Sequence, residues 1–469
     1  MRSGAVYALG MIVPKLMSIL LLPIFTKLLG PEDYGVLAYT NSIIEFLFVF
    51  SILSLNSYVL RFWMDYEPGD EEGRRRLTGA VFTFLCVFNL LLLGGAFAVG
   101  PLLISGFGVQ VPFFPYFALA LTANFFNTLS VIPLAMFRLL DRPGAYVGIS
   151  ISRSLIQYGV AYVLLVHMDM GLLGMYVAQV GVFAVFSLVY LRVIWRIGSF
   201  TWDLGLVRQG LVFALPLLPG AVAHQVIRVI DRVMLEAHVS MERLGLYSIG
   251  YMLGFFSIMV LVQGGYRAFE PTIFQVWGRD DFEASWRRIR GGFVALLLVA
   301  GVGVGLLGRE FLQVLTSPRF HESYRIVPVV ALAAVLRGMG MMFTILLVAA
   351  KRTKAATQVL LVGAVVNVLV NLALIPTLGI MGAAWSSVAA FGIMVPLAYL
   401  ICERHGILRA RDTLGRDLVA VAAAAALVGW VVYGVAPEPS WAWFGLKLFL
   451  CLAYAALVAV LYRLWRFVR

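Results

Sequence analysis

Long apolar segments constrain the fold of this chain more than any other feature. The stretches 81–103, 291–308, 357–375 and 417–435 are each apolar over the ~20 residues that an α-helix needs to cross the hydrocarbon core of a bilayer. Of the 469 residues, 62% are hydrophobic and only 13% are charged, whereas soluble domains carry about 25% charged residues. A water-soluble fold of this length could not bury so much apolar surface, so we predict an all-α integral membrane protein.

Fourteen transmembrane helices are predicted. They span residues 4–28, 34–60, 77–104, 112–137, 143–167, 171–192, 209–234, 244–267, 291–310, 326–349, 354–375, 379–402, 417–435 and 442–463, and are numbered helix 1 to helix 14. The first apolar stretch continues to Leu29 without a small-residue cleavage site, so it is interpreted as a span rather than a signal peptide. The connections are too short to contain a soluble catalytic domain.

Lys and Arg concentrate in every second connection between the helices. The connections 74–76, 192–208, 279–290, 351–354 and 404–416 are rich in these residues, whereas 30–34, 105–111, 167–170 and 437–440 contain few. The positive-inside rule places the basic connections, and with them both chain termini, in the cytoplasm. The net charge of +12 is therefore attributed to membrane topology and not to nucleic-acid binding.

Three short motifs of the first half recur about 210 residues later in the chain. The matched residues are Gly35 with Gly245, Arg142 with Arg352, and Gly171 with Gly379. This register predicts two six-helix repeats related by an axis along the membrane normal, an arrangement typical of transporters. We expect an N-lobe over residues 1–200 (helices 1–6), a C-lobe over 201–405 (helices 7–12), and an appended pair of helices, 13 and 14, over 406–469.

Ionisable side chains inside the bilayer are candidate functional groups, because each is costly to place there. The helical rise puts Lys15, Glu45, Arg153 and Arg337 near mid-depth, Arg228 and Asp231 in the outer half of helix 7, and Arg61 and Arg267 at inner helix ends. We predict a substrate cavity lined by Lys15, Arg61, Arg153, Arg228 and Arg267. Such a cationic cavity suits an anionic cargo, since guanidinium groups pair closely with phosphate in a low-dielectric site.

Structural alternatives stay open for several basic residues. Arg61 and Arg267 could extend to the inner membrane surface, where their charged ends reach water. Arg337 and Lys447 could instead face a partner helix or an interface.

Two of the acidic residues within the predicted spans are candidates for coupling transport to an ion gradient. These residues are Glu45 and Asp231. The alternative for Asp231 is that it neutralises a neighbouring arginine, Arg228 or Arg232.

Prolines interrupt the first helix of each predicted repeat. Pro14 and Pro23 lie in helix 1, and Pro216 and Pro219 lie at the start of helix 7. A proline kink frees backbone groups and supplies a bending point. These four prolines are therefore candidate hinges, and a static kink is the alternative.

No enzyme, metal or cofactor motif is present in the sequence. Cys86, Cys402 and Cys451 are too scattered for a disulfide framework, and the five histidines show no metal-ligand spacing. There is no phosphate-binding loop of the ATPase type. We therefore expect a protein that is not an enzyme and that uses no metal or cofactor.

Three segments resemble a known family. They are LLLPIFTKLLGPEDYG at 20–35, IDRVML at 230–235 followed by LGLYS at 244–248, and NVLVNLALIPTLGIMGAA at 367–384. These segments resemble bacterial polysaccharide-biosynthesis membrane proteins, the O-antigen-type lipid-linked oligosaccharide flippases. The resemblance extends over the whole chain at the level of the multidrug/oligosaccharidyl-lipid/polysaccharide exporter superfamily, which also contains the lipid II flippase and the multidrug and toxin extruders.

The resemblance implies two lobes arranged in a V around a central cavity that opens alternately to each side of the membrane. The lipid II flippase has essential cavity arginines on its first, second and eighth helices, and the resemblance assigns these places to Lys15, Arg61 and Arg267. Helix 1 differs by carrying a lysine in another local motif. The lipid II flippase also has helices 13 and 14, whereas the drug extruders usually have twelve.

The sequence and the resemblance together predict a transporter of the bacterial inner membrane. It would flip polyprenyl-diphosphate-linked oligosaccharide for O-antigen or exopolysaccharide synthesis, including lipopolysaccharide, by alternating access. The alternative is a drug/cation antiporter of the multidrug and toxin extrusion type. Expected partners are the lipid-linked oligosaccharide, the lipid bilayer and a polysaccharide polymerase, with no nucleic acid, and the expected oligomeric state is a monomer.

Overall fold

The computed structural model describes residues 7, 10, 13–14, 16–67, 69–408, 412–435 and 441–462. Over these residues the chain is helical and contains no β-strand. Thirteen helices in this part of the chain are long and apolar enough to cross a membrane, and they correspond to predicted helices 2–14. The predicted all-α membrane fold is therefore confirmed, while helix 1 is described only in part.

The observed helices follow the predicted order, and we label them α1 to α14. They are Leu22–Leu28 (α1), Pro31–Ile52 with Leu55–Phe62 (α2), Glu71–Gly106 (α3), Phe113–Leu139 (α4), Pro143–Val166 (α5), Gly171–Ile197 (α6), Leu204–Glu236 (α7), Met241–Val276 (α8), Phe282–Leu315 (α9), Val327–Ala349 (α10), Thr353–Leu378 (α11), Ile380–Arg404 (α12), Leu414–Val435 (α13) and Trp441–Leu461 (α14). Residues 16–20 are also helical and precede α1.

Helices α3 and α9 begin furthest ahead of their predicted starts, because their first turns are charged. Helix α3 begins at Glu71 rather than at 77, and α9 begins at Phe282 rather than at 291. The side chain of Asp70 caps α3 by accepting a hydrogen bond from the Gly73 N–H at 2.8 Å. Apolar length marks only the part of a helix that lies in lipid, so it misses the polar turns that continue into water.

Prolines interrupt helices in two of the predicted places. A turn at Leu21 interrupts the helix directly before the segment that contains Pro23. In α7 a short 3₁₀ turn, Leu215–Leu217, contains Pro216 and precedes Pro219. Pro14, by contrast, lies in helical backbone. The kinks are structural facts, whereas their role as hinges remains a prediction.

A further break divides α2 without any proline or glycine. Leu53 and Ser54 both adopt left-handed backbone conformations, with φ of 52° and 57°. The freed carbonyl of Ser51 accepts a hydrogen bond from the side chain of Asn89 on α3 at 2.9 Å. This compensation matters because an unpartnered backbone carbonyl is costly in a membrane.

The backbone supports the predicted repeat. In the connections α4–α5 and α10–α11, one residue is left-handed, Asp141 (φ 46°) and Lys351 (φ 57°) respectively. In both, the N–H of the next residue reaches back five residues. These bonds join Arg142 to Phe137 at 2.8 Å and Arg352 to Leu347 at 2.7 Å. The same turn therefore ends the fourth and tenth helices, at the interval found in the sequence.

Packing divides the chain into two compact units, Met1–Ala237 and His238–Arg469. In the first unit α7 packs along α2, and α5 packs along α6. In the second unit α10 and α11 both pack along α12. By its contacts α7 belongs to the first unit, whereas the predicted lobes 1–200 and 201–405 and the appended region 406–469 follow the repeat and remain a prediction.

The appended helices α13 and α14 pack against α9 in the second unit. Near the start of α9, Arg290 pairs with Asp417 of α13 at 3.1 Å. Near its end, Glu310 pairs with Lys447 of α14 at 2.7 Å. At ~1.5 Å per residue these two pairs are separated by about the thickness of the hydrocarbon core. Lys447 therefore faces a partner helix, one of its two predicted alternatives.

Candidate functional site

An ion pair joins α2 and α7 within the first unit. The Arg228 guanidinium donates to Glu45 Oε2 at 2.8 Å, and the Gln225 side chain donates to the same oxygen at 3.1 Å. Both members of the ion pair are about half exposed. Glu45 is thus held by two donors from one turn of α7, and its charge is balanced by Arg228.

Asp231 lies in a more enclosed position, one turn further along α7. Its side chain is only 2% exposed, and Oδ1 accepts from the Arg232 guanidinium at 3.0 Å. The same oxygen accepts from the Arg232 backbone N–H at 2.9 Å. Arg232 also donates to the carbonyl of Arg228 at 2.9 Å. Asp231 therefore neutralises Arg232 in this structure, as its predicted alternative proposed.

Arg153 lies between three helices of the first unit and has neutral partners. Its guanidinium, on α5, donates to the Asn127 side-chain oxygen on α4 at 3.1 Å. It also lies over the ring of Phe183 on α6, 4.8 Å from the ring centroid. Among the described residues no carboxylate pairs with Arg153, so its positive charge is not balanced there.

The two arginines that were predicted at inner helix ends have exposed side chains. Arg61, at the end of α2, pairs with Asp65 one turn further on. Arg267 is exposed on α8, in the second unit. Lys15 lies outside the described residues. Of the seven predicted charged residues, the structure brings Glu45 and Arg228 into direct contact.

Sequence reasoning missed several polar partners. Gln225 and Asn127 hold the predicted charged groups, and both are amides at mid-helix. A signal for Gln225 was its place three residues before Arg228, since such residues share one helix face. Nothing in the sequence linked Asn127 to Arg153.

Polar side chains also join α11 and α12 in the second unit. The Ser386 hydroxyl donates to Asn371 Oδ1 at 2.5 Å, and Asn367 donates to Ser386 at 3.3 Å. All three side chains are fully buried. Buried amides and hydroxyls of this kind hold membrane helices together. In the described part of the chain, no three His, Cys, Asp or Glu side chains form a group that could hold a metal ion.

The fold of this chain is shared with solved membrane transporters. A structure titled lipid II flippase MurJ, inward closed conformation, aligns with a TM-score of 0.73 at 12% identity, with 99% of both chains covered. An inward-facing MATE family transporter of the MOP superfamily aligns at 0.66 and 13% identity, covering 86% of this chain and 100% of that one. The Vibrio cholerae MATE transporter VcmN in the bent form aligns at 0.57 and 12%, covering 92% and 97%. The chain therefore has the fold of these flippases and transporters.

Sequence models identify the family within that class. The model for polysaccharide biosynthesis proteins matches residues 1–277, more than half of the chain. The chain therefore belongs to this family of multi-pass membrane proteins. The MatE model matches residues 216–373. No curated protein is significantly similar to the chain in sequence.

Proposed function

We propose that this protein flips polyprenyl-diphosphate-linked oligosaccharide across the inner membrane for O-antigen or exopolysaccharide synthesis. The sugar and diphosphate would pass through the protein by alternating access while the polyprenyl chain stays in lipid. Membership of the polysaccharide biosynthesis protein family supports the polymer pathway. The basic connections favour cytoplasmic termini.

The observation that carries this proposal is the uncompensated charge of Arg153. The side chain extends from the middle of α5, and its described contacts are an amide oxygen, an aromatic ring and the neighbouring Tyr190 side chain. None of these contacts carries a negative charge, so the immediate surroundings of the Arg153 guanidinium favour an anion. A diphosphate supplies the charge and the acceptor oxygens that a guanidinium prefers. Arg61, Arg228, Arg267 and Lys15 are proposed as further contacts with the cargo.

A drug/cation antiporter is the second candidate, because the MatE model matches residues 216–373. Such an antiporter needs an acidic group that binds and releases a cation. Glu45 and Asp231 are the candidates, and they are equally the proposed coupling residues of a flippase. Both are ion-paired with arginines here, which favours the anion-carrying alternative.

Reconstitution in liposomes tests the proposal. Lipid-linked oligosaccharide is placed in one leaflet, and its appearance in the other is measured for the wild type, Arg153→Gln and Arg279→Gln. Loss of a hydrogen bond to a charged group is worth ~1.5–3 kcal/mol, so flipping by Arg153→Gln should fall about 10- to 100-fold. Arg279 lies between α8 and α9, is exposed and pairs with Asp281, so its replacement is the matched control.

The two candidate functions predict opposite patterns. A flippase loses activity in Arg153→Gln, whereas an antiporter loses cationic dye export in Glu45→Gln or Asp231→Asn and tolerates Arg153→Gln. Dye export without any flipping by the wild-type protein would refute the flippase.

A further inference from the structure

Each half of the chain places a guanidinium over a phenylalanine, and the two phenylalanines occupy corresponding positions in the repeat. Phe183 on α6 and Phe391 on α12 occupy corresponding positions in the register that relates Gly171 to Gly379. In the first unit the Arg153 guanidinium lies 4.8 Å from the Phe183 ring centroid. In the second unit the Arg337 guanidinium lies 5.5 Å from the Phe391 ring centroid.

The two guanidiniums come from different helices. Arg153 extends from α5, and the corresponding position in the second half is Gly363 on α11. Arg337 extends from α10, and its counterpart in the first half is Asn127, the residue that binds Arg153. The position of the charge is thus common to both halves, although the residue that supplies it is not. Because different helices supply the guanidinium in the two halves, we infer that the positive charge at this position has a function of its own.

Arg337 lies in an apolar and aromatic environment at mid-membrane. It is near the middle of α10, the most enclosed of the thirteen candidate spans. The Phe391 ring stacks in turn on Phe255, with 5.7 Å between the ring centroids, and Phe255 stacks on Tyr251 at 4.9 Å. These rings come from α8 and α12, so they form an aromatic floor on one side of the guanidinium.

No negative charge balances Arg337 within the described residues. Neither an ion pair nor a hydrogen bond to a carboxylate or carbonyl is formed there, and the side chain remains half-buried rather than fully enclosed. A guanidinium at mid-membrane is costly, and a cation–π contact offsets only part of that cost. The N–H edges left uncovered by the ring match the oxygens of an oxyanion.

We propose that Arg337, on its floor of Tyr251, Phe255 and Phe391, is an oxyanion-binding site of the second unit. This inference rests on the proposed function, because the oxyanion belongs to the carried lipid-linked oligosaccharide. Its source is either the diphosphate or a carboxylate on an acidic sugar, since both present the paired oxygens that a guanidinium binds.

Binding to the purified full-length protein in nanodiscs tests the site. Farnesyl diphosphate represents the diphosphate and digalacturonic acid represents the sugar carboxylate, each measured by calorimetric titration. Arg337→Gln should weaken binding of the recognised probe about 10- to 100-fold, as expected for the loss of a charged hydrogen bond. Arg337→Lys should bind with intermediate affinity, because lysine keeps the positive charge but lacks the paired N–H groups of a guanidinium.

The matched control is Arg309→Gln, which removes another arginine of the same unit that lies over an aromatic ring, Tyr324. It should bind as the wild type does. If Arg337→Gln does not fold, Phe391→Leu provides the second variant, because it keeps the guanidinium and removes its ring. That variant should weaken binding at least twofold. Unchanged binding in the folded Arg337 variant, or in Phe391→Leu, overturns the proposal, as does failure of the wild type to bind either probe.

Flipping measured in parallel separates this site from the proposed function. Probe binding that depends on Arg337, in a wild-type protein that does not flip, refutes the flippase and leaves the anion site standing. Wild-type binding and flipping in Arg337→Gln refute the anion site and leave the flippase standing.

Discussion

Replacing Arg290 with methionine should loosen the attachment of α13 to α9. The two charged side chains of the Arg290–Asp417 pair are 2% and 1% exposed. The Tyr462 hydroxyl donates a hydrogen bond to the other oxygen of Asp417, Oδ1, at 2.7 Å. Arg290→Met removes the cation and leaves the Asp417 carboxylate buried against a helix that now presents an apolar side chain.

The size of the effect follows from this geometry. Breaking a buried ion pair by removing one partner costs about 3–5 kcal/mol. The carboxylate keeps Tyr462 and a longer contact with Arg416 at 3.6 Å, so the expected loss is at the lower end, about 3 kcal/mol. For a unit of roughly 230 residues this corresponds to a fall in Tm of about 6–12 °C.

Thermal unfolding of the purified protein, followed by tryptophan fluorescence in detergent, measures this change. The double variant Arg290→Met, Asp417→Leu should regain most of the loss, because apolar replacement of both partners is often neutral. The control is Arg287→Met on the same helix, since Arg287 makes a long, exposed contact with Glu283. An Arg290→Met protein that melts with the Arg287→Met control would refute the reasoning.

Three further outcomes are expected. Gly79→Ala should destabilise the protein by about 3 kcal/mol or more, seen as a lower Tm, because the added Cβ would overlap the carbonyl oxygen of Ser199. The pKa of Asp203 is lowered chiefly by a hydrogen bond from a backbone N–H in the first turn of α7. The contribution of Asp203 to the free energy of unfolding is therefore complete above its ordinary pKa and is lost as the pH falls through the lowered pKa. The Tm difference between wild type and Asp203→Ala should accordingly shrink on acidification. In a protein without native cysteines, a cysteine at His167 should react with an impermeant maleimide in intact cells and one at Lys354 should not, and the reverse result would overturn the topology.

The existence and order of the helices could be predicted because lipid imposes a length on each span. The helix ends could not be predicted equally well, since the first turns of α3 and α9 are charged and lie beyond the apolar stretch that reveals them. The break in α2 was missed for another reason. Leu53 and Ser54 are ordinary helix residues, and the Ser51 carbonyl next to the left-handed backbone is bonded by a side chain from another helix, Asn89.

The candidate charges were predictable individually, whereas their partners were not. Arg153 and Arg228 stand out in the sequence because each is rare in an apolar span. Their partners are an amide and a carboxylate on other helices, Asn127 and Glu45, and sequence position alone does not show which faces of two helices meet. For Arg337 the decisive neighbour is Phe391, and a phenylalanine in a membrane helix gives no indication that it faces a charge rather than lipid.

The internal repeat supplies information that neither half contains alone. Where both halves keep the same residue type, as at Phe183 and Phe391, packing is sufficient to explain the match. At Asn127 and Arg337 the two halves correspond in position but differ in residue type. If helix packing alone determined these residues, the surroundings of the two side chains should be unrelated. The structure instead places a guanidinium over the ring in both units. A change of residue that preserves the place of a charge is hard to explain by helix packing, because a neutral side chain would fill either position at lower cost in lipid. The proposed anionic cargo explains it, because its negative charge would then be met by a guanidinium in each half of the protein.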